Sequence, residues 1–199
     1  YDDLSVRLPG KYQMENCRTV LAIVERLVAM NRLHLEESAL RYALQHVTWP
    51  GRMMIRDARD FNPESNKGPV VIDGAHNLRA VRGVLESIRL LFPDRRLTAI
   101  VGFPKNKDAE SMLQAIHAAG AILIVTTYAS SRARAVGDLA DLCRRLHIPA
   151  MPASDFRQAV ARALTLDCRK QVVLVTGSLY LAGEALAVAG QEELCLNIY

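Results

Sequence analysis

Short runs of β-branched apolar residues alternate along most of the chain with segments whose apolar residues recur at helical spacing. The run Val70 to Ile72 is typical of a strand buried on both faces. An amphipathic helix is predicted to follow it at once, with apolar residues at positions 78, 81, 84, 85, 88, 91 and 92. Further strands are predicted at 97–101, 121–126, 147–150 and 172–175, and helices at 109–119, 136–146, from Ser154 to about 166, and from about Leu179. This alternation predicts an α/β fold, a Rossmann-like and mostly parallel sheet with helices on both faces.

The first quarter of the chain has a different pattern, with two helical stripes and no strand. Residues 4–15 form a polar lead-in with a Pro9-Gly10 turn, and Asn16 precedes a helix that stops near Asn31. Its apolar stripe comprises Cys17, Val20, Leu21, Val24, Leu27 and Val28. A second amphipathic helix is predicted at 35–47, with Glu36 and Glu37 in its first turn. Trp49-Pro50-Gly51 interrupts the pattern, so we expect a two-helix extension over 1–48 and the α/β domain over 49–199, opening with an edge strand at 52–58.

The composition is that of an ordinary globular protein and argues against several functional classes. Half of the 199 residues are hydrophobic, as in ordinary globular proteins, and the net charge of +4 is dispersed, whereas a nucleic-acid surface would be more strongly basic. The cysteines at 17, 143, 168 and 195 lie far apart, which favours reduced thiols in a cytoplasmic protein. No stretch has the length of a membrane span, and no zinc-type spacing or phosphate-binding loop is present, so we expect no metal site from this chain alone. Tyr1-Asp2-Asp3 is not a natural translation start, which suggests a fragment.

The main candidate chemistry directly follows the strand 70–72. Asp73, His76 and Asn77 lie where that strand runs into a helix, and ligands of open α/β sheets bind beyond the carboxyl ends of strands. Asn77 is suited to cap the helix. Asp-Gly is also ordinary turn chemistry, and His76 is equally compatible with a solvated loop.

Two other strand ends carry weaker candidates. Lys105, Lys107 and Asp108 follow the strand that ends at Gly102, where they either hold an anion or form a solvated loop with a helix cap. Gly177-Ser178 offers a hydroxyl and free N–H groups at a helix start, which suits either an anion or a routine cap.

Three separated motifs together resemble one family. They are Trp49-Pro50-Gly51-Arg52, Asp73-Gly74-Ala75-His76-Asn77 and Thr176-Gly177-Ser178-Leu179-Tyr180. In this order they resemble the C-terminal part of the folylpolyglutamate synthase/dihydrofolate synthase family, the folate branch of the Mur ligases. The lead-in at 8–17 and the Lys107-Asp108 pair fit the same pattern, with Tyr12, Cys17 and Leu78 as departures where the family has His, Ala and Pro.

The resemblance implies an ATP-dependent ligase that adds L-glutamate to a folate or dihydropteroate through an acyl phosphate. It places Asn16, Arg52 and Asp73 among the ATP contacts, His76 near the reaction centre, and Ser178 near the carboxylate of glutamate. It also implies that the phosphate loop and the Mg²⁺ ligands belong to an N-terminal ATPase domain, of which 1–48 is the remainder. The 199 residues are therefore expected to be inactive alone.

Two alternatives and one further expectation stand beside this interpretation. One alternative is another Mur-type amide ligase acting on a peptidoglycan precursor, and the other is a non-catalytic module that binds nucleotides. If the two N-terminal helices normally pack against an absent domain, their apolar stripes should be exposed or buried by self-association.

Overall fold

The structure, a computed structural model, describes residues 3–166 and 170–190. Cys168 and Cys195 lie outside the described residues, whereas Cys17 and Cys143 are buried free thiols. Burial raises the pKa of the Cys143 thiol, which keeps it protonated. Contacts divide the chain into two units, Tyr1–Trp49 and Pro50–Tyr199, one residue from the predicted boundary. The origin of the first unit in an ATPase domain stays a prediction.

The first unit contains helices α1 (Lys11–Ala29) and α2 (Glu37–His46). The prediction that α1 starts after Asn16 is wrong, because Gly10, with φ of 110°, caps the helix and the polar residues that follow are good helix formers. The predicted stop is confirmed. Asn31 adopts a left-handed φ of 52° and donates its N–H to the Val28 carbonyl, a common way to close a helix.

The second unit is built on one six-stranded sheet. Its strands are β1 (Met54–Arg56), β2 (Val70–Ile72), β3 (Arg96–Val101), β4 (Ile122–Val125), β5 (Ala150–Pro152) and β6 (Gln171–Thr176). They lie in the order β1-β2-β6-β3-β4-β5, and only β1 runs antiparallel to its neighbour. The predicted mostly parallel α/β fold is confirmed.

Helices cover the sheet on both faces. They are α3 (Leu78–Leu91), α4 (Ala109–Ala118), α5 (Val136–Arg145), α6 (Phe156–Thr165) and α7 (Leu179–Val188). One core cluster joins alternate strand residues such as Ile72 and Val175 to small and apolar residues of α6 and α7. The intervening residues Val71, Leu123 and Leu174 are also buried, and because side chains alternate along a strand, the opposite face is covered too.

Two local predictions in this unit are wrong. The strand expected at 147–150 is Ala150–Pro152, since His147, with a φ of 56°, still belongs to the turn that closes α5. The helix predicted to start at Ser154 begins at Phe156, because Asp155 caps α6 by accepting the Gln158 N–H at 2.8 Å through its carboxylate. Hydrogen bonds to this cap hold the pKa of Asp155 below its usual range. None of the helices in the described ranges combines the length and apolar character needed to cross a membrane.

Candidate functional site

Loops from several strands meet at one edge of the sheet. Because β2, β3, β4 and β6 are parallel, the loops at 73–77, 102–108, 126–135 and 176–178 all follow carboxyl ends at this edge. The antiparallel β1 pairs Met54 with Ile72, so the residues just before β1 reach the same edge. The arrangement therefore brings Arg52 beside the loop that contains Asp73 and His76.

Asp73 connects these loops through a buried carboxylate. Asp73 is only 2% exposed. Its Oδ1 accepts the Ala75 N–H at 2.8 Å, and its Oδ2 accepts the Met53 N–H at 2.9 Å. The Asp73 N–H in turn donates to the Val175 carbonyl at 2.9 Å. Hydrogen bonds to an ionised acceptor are stronger than neutral ones, so Asp73 fixes the segment before β1 against the end of β2.

The segment before β1 has an unusual backbone. Gly51 has a φ of 70° and Met53 a φ of 46°, the latter in a fully buried residue without the freedom of glycine. The Gly51 carbonyl accepts the Gly74 N–H at 2.8 Å. A Cβ added at Gly74 would overlap the end of the Leu179 side chain, so that side chain would have to move to accommodate any other residue here.

Arg52 lies between these two constrained residues. Its side chain is half-buried and has no hydrogen-bonding or ion-pairing partner among the described residues. A guanidinium presents a planar fork of donors that matches phosphate or carboxylate oxygens. The backbone is fixed on both sides of Arg52, while its charge is available to a ligand.

His76 is held by one of its two ring nitrogens. Nδ1 lies 3.0 Å from the Gly74 carbonyl oxygen, which can only accept, so Nδ1 carries the proton of this hydrogen bond. Nε2 is then left to face a ligand, since the part-exposed ring has no other partner within the described ranges. Asn77 accepts the Ala80 N–H at 2.9 Å, which confirms it as the cap of α3.

Ser178 lies in the loop at 176–178, which is hydrogen-bonded to the loop at 73–77. The Gly177 N–H donates to the Ala75 carbonyl at 2.8 Å, and the Thr176 hydroxyl donates to the same oxygen at 3.4 Å. Ser178 is 1% exposed, and its hydroxyl caps α7 by accepting the Tyr180 N–H at 3.1 Å. The capping role is thus present in the structure, and the loop places Ser178 beside the Ala75-His76 segment.

The structure brings Arg52, Asp73, His76 and Ser178 to one edge of the second unit. Asn16, the remaining predicted site residue, belongs to the first unit, where its exposed side chain donates Nδ2–H to the Gln13 side-chain oxygen at 2.9 Å. Asp108 caps α4, and hydrogen bonds from Ser111 lower the pKa of its carboxyl. Lys105 donates to the Ser131 carbonyl at 3.0 Å.

Three residues near these loops were not identified as candidates from the sequence. Tyr128, after β4, is 5% exposed and stacks on Tyr180 with parallel rings 5.8 Å apart, and burial raises the pKa of its hydroxyl. Glu184 accepts the Ala129 N–H at 2.6 Å, and burial raises the pKa of its carboxyl. Arg134 donates to the carbonyls of Lys105 and Lys107 at 3.0 and 3.3 Å, joining the loops after β3 and β4. No motif marks these residues, because their roles depend on how distant loops meet.

A metal site requires several ligand side chains close together. In residues 3–166 and 170–190, no three His, Cys, Asp or Glu side chains cluster in a way that would hold a metal ion.

Comparison with known proteins identifies the family. Residues 51–179 match the family model of the Mur ligase, glutamate ligase domain. The chain belongs to this family. The matched range begins at Gly51 and ends at Leu179, so it contains Arg52 and the loops that carry Asp73, His76 and Ser178. The resemblance seen in the sequence is thereby confirmed.

Relatives agree with this assignment over nearly the whole chain. The dihydrofolate synthase/folylpolyglutamate synthase of Bacillus subtilis is 25% identical over 92% of this chain, and the folylpolyglutamate synthase of Lacticaseibacillus casei is 28% identical over 90%. The Mycobacterium tuberculosis folylpolyglutamate synthase complexed with ADP superimposes with a TM-score of 0.80 at 27% identity, covering 96% of this chain. This chain spans only 40%, 39% and 42% of those three proteins, respectively.

Proposed function

We propose that this Mur ligase domain is the C-terminal part of an ATP-dependent ligase that adds L-glutamate to a folate or dihydropteroate. The observation that carries the proposal is the family match over residues 51–179, which contains the connected loops of Arg52, Asp73, His76 and Ser178. The similar Mycobacterium tuberculosis enzyme has been solved with ADP and AMPPCP, which supports a nucleotide as one ligand.

The reaction proceeds in two steps. First, the terminal carboxylate of the acceptor attacks the γ-phosphorus of ATP, giving an acyl phosphate and ADP. Then the amine of glutamate attacks the acyl carbon, the C–O bond to phosphate breaks, and an amide, inorganic phosphate and a proton are formed. Both steps move negative charge between oxygens, so positioned cations and hydrogen-bond donors are the groups that accelerate them.

Arg52 and Asp73 serve the nucleotide in this scheme. Arg52 pairs with a phosphate of ATP, supported by its unpartnered guanidinium and its position between Gly51 and Met53. Asp73 positions Arg52 by accepting the Met53 N–H, and its carboxylate is the group that we assign to the ribose of the nucleotide. For Asn16 the family resemblance implies a nucleotide contact, and this stays a prediction.

His76 and Ser178 serve the incoming glutamate. With Nδ1–H directed to the Gly74 carbonyl, Nε2 accepts a hydrogen bond from the glutamate amine, or in the protonated ring donates one to the developing charge. Ser178 is assigned to the glutamate carboxylate because its loop is hydrogen-bonded to Ala75, the residue before His76.

The chain does not supply all of the machinery. Mg²⁺ neutralises phosphate charge in reactions of this kind, and its ligands and the phosphate loop would lie in the remainder of the longer protein. The role of this chain is to close over the nucleotide and to position glutamate. On its own it is expected to release no ADP.

The decisive measurement is acceptor-dependent ADP release by the longer protein. Glutamate is supplied with dihydropteroate, tetrahydrofolate or a peptidoglycan precursor in separate reactions, for the native protein, His76→Ala and His117→Ala. His117 is an exposed residue of α4 and serves as the matched control. Turnover with a folate acceptor that falls about a hundredfold only in His76→Ala supports the proposal. Turnover restricted to the peptidoglycan precursor, or equal rates in both variants, contradicts it.

A further inference from the structure

A groove of about 750 Å³ lies at the opposite edge of the sheet from the loops described above. Its walls come from the start of β3, the start of β4, and the carboxyl-terminal ends of α3 and α4. Nothing in the proposed ligase reaction uses this edge. The volume is in the range of pockets that bind small molecules.

Three arginines converge on the groove. Arg89 is in the last turn of α3, Arg95 is in the following loop, and Arg96 opens β3. Arg95 donates to the Gln171 carbonyl at 3.1 Å, whereas the exposed side chains of Arg89 and Arg96 have no partner among the described residues. Glu86 is the one acidic residue among the lining residues, against these three arginines. The groove therefore has an excess of positive charge that is available to a ligand.

Apolar side chains form the rest of the lining. Phe92 and Leu97 are half-buried, and Ile122 remains 37% exposed at the start of β4. Cations stabilise helix carboxyl termini, which would explain Arg89, and Arg95 has its hydrogen bond to the Gln171 carbonyl, but neither reason applies to the exposed side chain of Arg96. Neither reason explains the apolar surface between the arginines.

We infer that this groove, hereafter the arginine groove, binds a small organic anion that joins an aromatic or apolar body to carboxylate or phosphate groups. The body lies against Phe92, Leu97 and Ile122, and the anionic groups pair with Arg89 and Arg96. Guanidinium groups form charge-assisted, bidentate hydrogen bonds with both kinds of oxyanion. The inference is independent of the proposed ligase function.

The test titrates the 199-residue protein with defined probes and follows the backbone amide signals by NMR. The probes are naphthalene dicarboxylate, naphthyl phosphate and the neutral naphthalene dimethanol, so the two anionic sources are separated from the aromatic body alone. The variants are Arg89→Ala and Arg96→Ala, with Arg145→Ala as the control. Arg145 is an exposed arginine in the last turn of α5, so its removal matches that of Arg89 in charge and in position on a helix.

Saturable shifts around Phe92, Leu97 and Ile122 with at least one anionic probe are expected. Affinity should fall about tenfold in Arg89→Ala and in Arg96→Ala and stay unchanged in Arg145→Ala. Tighter binding of the dicarboxylate or of the phosphate probe shows which of the two anionic groups the groove prefers. The inference is overturned if neither anionic probe gives saturable shifts, or if the neutral probe binds as tightly as the anionic ones. It is also overturned if Arg145→Ala weakens binding as much as the other two variants.

Discussion

At the scale of single residues, Asp73 combines burial, charge and connectivity. A buried carboxylate is costly unless strong donors surround it, and here two backbone N–H groups at 2.8 and 2.9 Å meet its two oxygens. One donor belongs to its own turn and the other to the segment that carries Arg52. The residue that the sequence marks for ligand binding is thus also what holds the neighbouring loop in place.

Replacing Asp73 with Asn tests this positioning role. The amide keeps one acceptor oxygen but turns a donor toward the other N–H, so we expect a loss of about 1–3 kcal/mol of unfolding free energy. The amide proton of Met53 or Ala75 should exchange faster in the native state. Urea unfolding and hydrogen exchange measure the two effects, with Asp138→Asn, an exposed residue of α5, as the control. Unchanged exchange at both amides would show that the carboxylate does not hold this segment.

Gly177 is a second residue whose identity is dictated by its surroundings. It has a φ of 104°, and an added Cβ would lie 2.6 Å from the Gly102 carbonyl oxygen and 2.8 Å from the Phe103 ring. We expect Gly177→Ala to cost about 3 kcal/mol, because backbone strain adds to overlap with atoms that have little room to move.

Gly120→Ala is the matched control for this change. Gly120 also has a positive φ, 76°, but nothing lies within 4 Å of its added Cβ. Its substitution should cost only the strain, about 1 kcal/mol. Urea denaturation of both variants gives the difference, and equal losses would refute a steric requirement at Gly177.

At the scale of elements, agreement between sequence and structure depends on local signals. The strand β2, its turn and the Asn77 cap of α3 were predictable, since a β-branched run, a capping residue and a helical stripe all act within the segment. The start of α1 and the place of β5 were not, because each is decided by one residue in a positive-φ conformation, Gly10 and His147.

The candidate site follows the same division. The meeting of strand ends at one edge was predictable from the parallel alternation, and it brings together Asp73, His76 and Ser178. The hydrogen bond from the Met53 N–H to Asp73 was not predictable, because it depends on β1 pairing antiparallel with β2. The Tyr128–Tyr180 stack and the Glu184 contact join loop and helix residues more than 50 positions apart, which no spacing rule relates.

Glu184 gives a pH-dependent test of how α7 is held. Burial raises the pKa of its carboxyl above the unfolded value, so the ionised form is disfavoured in the native state. Below the ordinary pKa of glutamate, the protonated carboxyl makes its full contribution to the unfolding free energy of the protein. This contribution is lost as the pH rises through the elevated native pKa. Native protein should therefore lose stability relative to Glu184→Gln as the pH rises from the ordinary pKa of glutamate through the elevated native pKa.

Urea unfolding of the two proteins at several pH values measures this difference. Glutamine preserves an acceptor for the Ala129 N–H, so the comparison isolates the charge. A stability difference that stays constant over the range, or that moves in favour of the native protein as pH rises, would contradict the desolvation argument.

At the scale of the whole molecule, the first unit leaves apolar surface uncovered. Val20, Ile23, Leu27 and Met30 lie on one side of α1 and are between 38% and 55% exposed. Of the predicted stripe, Cys17 is buried, Leu21 and Val24 are half-buried, and Val20, Leu27 and Val28 are exposed. An uncovered apolar face of this kind favours association, either with the rest of a longer protein or with a second copy.

We expect the 199-residue protein to self-associate through this face, with a weight-average mass that rises with concentration in sedimentation equilibrium. Ile23→Lys places a charge in the centre of the face and should shift the equilibrium toward monomer. Ala22→Lys adds the same charge to an exposed position about a quarter-turn away on α1, outside this apolar face, and should leave association unchanged. Because both changes add one lysine to the same helix, net charge cannot explain a difference between them. A native protein that remains monomeric at every concentration, or equal effects of the two lysines, would show that the exposed residues of α1 do not bind a second copy.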